Sequence, residues 1–113
     1  MGRKVVHFEI HGKTDLLNDF YKDLFDWHID TNNPMNYGMV DTHGGEGGIN
    51  GGIAPDDDPW VTIYVDVDDL QAALDKAEQL GGKTVMPPAE VGPVSLALFT
   101  DPAGNRVGLV KGM

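Results

Sequence analysis

The sequence predicts an α+β fold of two βαβββ modules, which together form a curved mixed sheet with the helices on its outer side. Two observations lead to this prediction. A strand of alternating polar and apolar residues is followed by an amphipathic helix, and this pair occurs twice along the chain. The two occurrences align at an offset of 55 residues, which pairs His7 with Thr62 and Phe25 with Leu80. A repeat of only two copies indicates an internal duplication rather than a solenoid.

The strands are predicted from their alternation and from the turn residues between them. The first strand covers residues 4–11, and its polar residues share one face: His7, Glu9 and His11. The strand over residues 60–67 opens the second module and places its β-branched residues on one face: Val61, Ile63, Val65 and Val67. The remaining strands are short, and we predict them at residues 27–30, 37–42, about 49–54, 83–86, 95–100 and 106–111.

The helices are predicted from apolar residues spaced by three and four. The first covers residues 15–27, and the second begins at Leu70. Candidate caps are the residues with short polar side chains before each helix: Thr14 or Asp15, and Asp68 or Asp69. The glycine-rich stretch over residues 44–52 lacks the lysine and hydroxyl residue of a P-loop, so we interpret it as a flexible connection or a hairpin bordering the concave face of the sheet.

Length and composition limit the possible classes of protein. The 113 residues predict a single domain, with one module over residues 4–55 and the other over residues 59–112. The formal net charge of −10 argues against nucleic acid and membranes as partners, since both require basic patches. The chain has no cysteine, which excludes disulfides, thiolate catalysis and cysteine-ligated metals. We expect a soluble cytoplasmic protein.

Four segments resemble the glyoxalase/bleomycin resistance protein/dioxygenase superfamily, also called the vicinal oxygen chelate superfamily. They lie at residues 6–10, 20–27, 62–70 and 101–109, and read VHFEI, FYKDLFDW, TIYVDVDDL and DPAGNRVGL. They occur in the superfamily's order and span nearly the whole chain. One departure is Asp26, where a glycine is usual before the aromatic residue.

The resemblance implies a fold that serves several chemistries: lyases, isomerases, ring-cleaving dioxygenases, epimerases, transferases and proteins that only bind. Its enzymes hold a divalent metal through ligands on the first strand of each module and near the end of the last strand. Here those positions are His7, Thr62 and Gly108, of which only His7 is a good ligand. A catalytic metal needs about three protein ligands, so we expect no metal and no other cofactor.

Strand parity supplies the candidate ligand-binding residues. In a fold of this family the polar rows of the first and fifth strands face the concave side, joined by residues of the last strand. The candidates are His7, Glu9, Trp60, Thr62, Tyr64 and Arg106. A mixture of aromatic and hydrogen-bonding groups suits a small organic molecule better than a bare ion. His11, at the end of its strand, is expected to matter less.

Three functions remain open. We favour a metal-independent small-molecule binding protein that forms a homodimer, as the superfamily pattern implies. The alternative is a metal-dependent lyase, isomerase or dioxygenase with a site rebuilt around His7 and Glu9. The third is a regulatory or protein-interaction module that uses the same fold. Whether the chain is an enzyme, and which ligand it takes, does not follow from the sequence.

Overall fold

The computed structural model of the protein describes residues 2–112. Over these residues the order strand, helix and three strands occurs twice. The first module contains β1 (Val5–Gly12), α1 (Thr14–Phe25), β2 (His28–Asp30), β3 (Gly38–Asp41) and β4 (Gly51–Pro55). The second contains β5 (Trp60–Asp66), α2 (Leu70–Gln79), β6 (Lys83–Val91), β7 (Val94–Thr100) and β8 (Arg106–Lys111). The predicted α+β class and the two βαβββ modules are confirmed.

The chain divides into two compact units. The first unit is His7–Val61, and the second combines the start of the chain, through Val6, with the residues from Thr62 onward. These units follow the two modules closely. We describe each unit by itself.

The strands of the first unit lie in the order β2, β3, β4, β1. β1 and β4 are parallel, in a register that places Glu9 opposite Gly52, whereas β3 is antiparallel to β4. Parallel strands end at the same edge of a sheet, so the residue after β4 lies close to the end of β1. The N–H of this residue, Asp56, donates to the carbonyl of Gly12 at 3.0 Å. This edge brings the end of β1 beside the loop that follows β4.

The core of the first unit combines buried aliphatic residues with a group of aromatic rings. Val40 and Ile53 are buried in β3 and β4. The ring of Trp27, just after α1, lies 5.5 Å from both Phe8 and Tyr21. These contacts fix α1 against the unit by its aromatic side chains, and they contribute both apolar burial and ring packing.

The second unit has its own core beneath α2. Its strands lie in the order β5, β8, β7, β6, with β5 parallel to β8 and Tyr64 opposite Gly108. The buried cluster joins side chains of α2, β7 and β8: Leu70, Leu74, Ala97 and Leu109. Val65 and Val67 pack against this cluster, as the period-two pattern of β5 predicts.

One local prediction, the cap of α1, needs correction. No side chain caps α1: its N-cap is Lys13, and the hydroxyl of Thr14 instead accepts a hydrogen bond from Asn36 Nδ2 at 3.1 Å. Of the apolar row of β5, Val61 and Ile63 are exposed, whereas Val65 and Val67 pack against the buried cluster. The cap of α2 is as predicted, with the Asp69 carboxylate accepting the N–H of Ala72 at 3.0 Å.

Within residues 2–112, no helix combines the length and the apolar character needed to cross a membrane.

Candidate functional site

The polar row of β1 anchors a chain of contacts within the first unit. Successive side chains of a strand point to opposite faces, so His7, Glu9 and His11 lie on one side, as predicted. Glu9 is buried, and each of its carboxylate oxygens has a neighbour. Oε2 accepts the hydroxyl of Tyr37 at 2.7 Å, and Oε1 lies 2.6 Å from His11 Nε2. The Tyr37 oxygen also lies 2.9 Å from His7 Nε2.

His11 occupies a more central place than the sequence suggests. Its ring is stacked on Trp60, with a centroid distance of 3.8 Å and an interplanar angle of 18°. Its Nδ1 lies 3.2 Å from Asp56 Oδ2, which also accepts the indole N–H of Trp60 at 2.9 Å. The short contact of Nε2 with Glu9 is not aligned as a hydrogen bond. His11 thus lies between Glu9 and Asp56, and its smaller role in ligand binding stays a prediction.

Two pKa shifts follow from this arrangement. Burial lowers the pKa of His7 below its ordinary value, and the negative charge of Glu9 opposes part of that shift. The pKa of Asp56 is lowered mainly by the hydrogen bond from Trp60 and next by the N–H of Asp58. The first shift favours a neutral imidazole at His7, and the second favours a carboxylate at Asp56.

The other three predicted site residues belong to the second unit. Thr62 is buried, and its hydroxyl donates to the carbonyl of Arg106 at 2.8 Å. Tyr64 is also buried, and its ring lies directly over Gly108, where a Cβ atom would overlap it. The side chain of Arg106 is exposed. The structure thus accounts for Thr62 and Tyr64 as buried groups of β5, and the joint role of all six residues stays a prediction.

The metal positions implied by the resemblance do not fit a metal ion. The hydroxyl of Thr62 is engaged with a backbone carbonyl, and a threonine hydroxyl is a weak ligand in any case. Gly108 offers no side chain, and the ring of Tyr64 fills the space that a side chain there would need. A search of residues 2–112 found no group of three or more histidines and carboxylates arranged to hold a metal.

Tyr37 and Asp56 are the residues that sequence reasoning missed. Tyr37 precedes β3, and Asp56 follows β4, so neither belongs to the strand rows from which the candidates were chosen. The parallel pairing of β1 with β4 is the signal that could have indicated Asp56, since it brings the ends of both strands together. Nothing comparable in the sequence points to Tyr37.

A separate apolar cavity of about 550 Å³ lies in the second unit against α2. Its walls include Val67, Ala73, Leu80, Phe99 and Leu109. None of the six predicted site residues lines it. The cavity is therefore no support for the predicted ligand site, whose polar groups are found elsewhere.

Comparison with known proteins agrees with the fold. A family model described as the Glyoxalase/Bleomycin resistance protein/Dioxygenase superfamily matches residues 14–109. The chain is 35% identical over 99 residues to a protein named "Putative glyoxylase CFP32" from Mycobacterium bovis, and equally to its namesake from Mycobacterium tuberculosis. Those matches cover 80% of this chain but 38% of the relatives, so the chain spans about two-fifths of their length.

Solved structures of low sequence identity share the fold. The Mn(II)-bound glyoxalase from Novosphingobium aromaticivorans is similar with a TM-score of 0.68 at 17% identity, covering 96% of this chain and 38% of that one. Methylmalonyl-CoA epimerase from Mycobacterium tuberculosis gives 0.67 at 15% identity, covering 96% and 87%. At such identities the likeness concerns the fold and leaves the activity open.

Proposed function

The chain belongs to the glyoxalase/bleomycin resistance protein/dioxygenase superfamily, and we propose that it binds a small organic molecule without a metal ion. The observation that carries the proposal is the pair Thr62 and Gly108. Both stand where the superfamily's enzymes have ligands, and their surroundings are filled by the Arg106 carbonyl and the Tyr64 ring. The polar row of β1 remains, with its carboxylate and imidazoles, and the phenol of Tyr37 contacts His7 and Glu9 in this row.

These groups suit an organic ligand that offers both hydrogen bonds and a flat apolar surface. Glu9, His7 and Tyr37 form a linked polar cluster, and the stacked pair of His11 and Trp60 adds an aromatic surface beside it. Small-molecule sites typically combine such aromatic walls with a few fixed polar groups. We propose that His7, Glu9 and Trp60 bind this molecule, with Thr62, Tyr64 and Arg106 as further contributors.

The metal-dependent alternative is favoured only by the names of similar proteins. One relative is named a glyoxylase, and one structural neighbour is a Mn(II)-bound glyoxalase. In a site rebuilt around His7 and Glu9, a metal would compete for the Glu9 oxygens with their present neighbours, Tyr37 and His11. That competition weighs against the alternative.

The proposed binding is tested by NMR screening of an organic fragment library, observing the fragments, in the presence of a chelator. We expect Glu9→Ala and Tyr64→Phe each to weaken the binding of a hit by roughly ten- to a hundredfold. Losing one buried partner costs about 1–3 kcal/mol, and each tenfold change in Kd corresponds to about 1.4 kcal/mol. Tyr21→Phe in α1 is the matched control, and it should leave affinity unchanged. Binding that requires added Mn²⁺ or Zn²⁺, or that ignores both variants, contradicts the proposal.

We also propose that the chain forms a homodimer. Four large apolar residues of α1 are more than half exposed: Leu16, Phe20, Leu24 and Phe25. Contiguous apolar surface of this kind is typical of a protein interface. Analytical ultracentrifugation at micromolar concentration should give twice the chain mass, and replacing Phe20 by Glu should shift the protein to monomer. Glu46→Gln, in an exposed turn, is the control. A monomer in the unaltered protein overturns the proposal.

A further inference from the structure

Tyr37 lies between His7 and Glu9, although nothing in the sequence assigned it a role. Its hydroxyl oxygen is 2.9 Å from His7 Nε2 and 2.7 Å from Glu9 Oε2. The hydroxyl is thus within hydrogen-bonding distance of both. Since a phenol has one proton and can also accept, the Tyr37 hydroxyl donates in one of these bonds and accepts in the other.

We propose that Tyr37 is a positioning residue that holds His7 in the tautomer with its proton on Nε2. The hydroxyl of Tyr37 donates its only proton to Glu9. It can therefore only accept from His7, so Nε2 must carry a proton. The ring nitrogen able to accept a proton or a hydrogen bond is then Nδ1. Tyr37 thereby determines which nitrogen of His7 donates and which accepts.

The loop before β3 is arranged to present Tyr37. Asn33 contacts both backbone groups of Tyr37: its Nδ2 donates to the Tyr37 carbonyl at 2.6 Å, and its Oδ1 accepts the Tyr37 N–H at 3.0 Å. Asn36 adopts a left-handed conformation with a φ of 53° and is tied to Thr14 at 3.1 Å. These bonds link the Tyr37 backbone to Asn33, and the residue before Tyr37 to the first residue of α1.

A glycine on β4 provides the space for the phenol. A Cβ atom at Gly52 would overlap the hydroxyl of Tyr37 and the ring carbon next to it. Gly52 is the register partner of Glu9 in the pairing of β1 with β4. The space that Gly52 leaves therefore lies beside the carboxylate that accepts the Tyr37 hydroxyl. The loop bonds, the space left by Gly52 and the Glu9 carboxylate are three separate features that fix the position of the Tyr37 hydroxyl. We infer a positioning role for Tyr37 from their agreement.

The tautomer can be measured in the ligand-free protein, so its test is independent of the proposed function; only its consequence for ligand orientation rests on that function. Protein with ¹⁵N-labelled histidine is examined by long-range ¹⁵N–¹H NMR at about pH 8, above the ordinary histidine pKa of about 6.5. We expect His7 Nε2 to resonate as a protonated nitrogen and Nδ1 as an unprotonated one. The signals are assigned by their loss in His7→Gln.

Two variants report on the role of the phenol. In Tyr37→Phe, the His7 resonances should move toward the tautomer-averaged positions of the exposed His28, whereas Tyr21→Phe should leave them unchanged. Glu9→Gln should reduce the protonation of Nε2, because an amide can donate to the phenol and free its proton for His7. A His7 with its proton on Nδ1 overturns the inference, as do resonances that move in neither variant. Circular dichroism shows whether each variant is folded. If Tyr37→Phe does not fold, Glu9→Gln still tests the inference.

Discussion

Gly52 and Gly108 have the same task in their respective units: each leaves room for a tyrosine ring. A Cβ atom at Gly52 would overlap the Tyr37 hydroxyl, and one at Gly108 would overlap the ring of Tyr64. Neither glycine is needed for a left-handed backbone conformation, since both lie in strands. Their contribution is therefore steric, and an alanine should reveal it.

At the residue scale we predict that Gly52→Ala destabilises the protein by about 1–3 kcal/mol, the usual cost of overpacking a filled site. The added methyl group would displace the Tyr37 ring from the space beside residue 52. Urea unfolding followed by tryptophan fluorescence measures the loss. Gly47→Ala is the control, because nothing lies within 4 Å of a Cβ atom there. Equal stability of the two variants contradicts the packing account.

The candidate site could be predicted from the sequence only in part. Parity placed His7, Glu9 and His11 on one face of β1, and the structure joins them through shared contacts. Parity acts within one strand, however, so it could not supply Tyr37, which arrives from the loop before β3. His11 is expected to matter less because it stands at the end of its strand, and the sequence alone does not indicate that Trp60 stacks on it or that Asp56 lies beside it.

At the scale of elements, the two helices differ in how they begin and end. α2 has the predicted aspartate cap, whereas α1 has no side-chain cap and ends at Asp26 in a left-handed conformation with a φ of 59°. Glycine is favoured in that conformation. This explains why the superfamily pattern has a glycine where this chain has Asp26. Asp26 thus departs from the pattern while adopting the conformation that glycine favours.

The strand boundaries follow the sequence closely except at β6. The pattern predicts a strand at residues 83–86, but the strand continues to Val91 through Pro87 and Pro88. Proline cannot donate to a ladder, which confines it to edge strands and bulges. The structure tolerates both prolines because β6 is the outer strand of the second unit and its register shifts between Met86 and Ala89. The strand includes these prolines because it lies at the edge of the sheet, and the local sequence does not indicate that position.

The turn between β7 and β8 gives a prediction for pH dependence. The Asp101 carboxylate accepts the side chain of Asn105 at 2.8 Å and the N–H groups of Asn105 and Ala103 at 2.9 Å each. These bonds, led by the Asn105 side chain, hold the pKa of Asp101 below its usual range. A carboxyl group with a lowered folded-state pKa stabilises the fold above its ordinary pKa of about 3.9 and loses that effect as pH falls through the lowered value.

We therefore expect Asp101→Asn to be less stable than the unaltered protein at pH 7, with a difference that shrinks in acid. Urea unfolding of both proteins at pH 7 and about pH 3, below the ordinary carboxyl pKa, compares the two differences. The comparison cancels the titration of all other carboxyl groups, which both proteins share. A difference of the same size at both values of pH would show that the charge of Asp101 has no part in the turn.

At the scale of the whole molecule, the duplication visible in the sequence reappears as two βαβββ modules. The amphipathic pattern of the second helix has its expected counterpart, since Leu70 and Leu74 of α2 are buried against Ala97 and Leu109. The sequence could not provide the ligand, since one fold serves many chemistries. The single-domain organisation and the cytoplasmic location stay predictions.

The central claim is that this member of the superfamily acts without a metal, and metal content tests it most directly. The protein should be purified without chelators, dialysed against an equimolar mixture of Mn²⁺, Zn²⁺ and Ni²⁺, desalted, and analysed by mass spectrometry of the elements. We predict far less than one transition metal per chain, because Thr62 and Gly108 offer no ligand. One equivalent of metal that is lost on His7→Ala, and retained on replacing the exposed His28 by Ala, would contradict the claim.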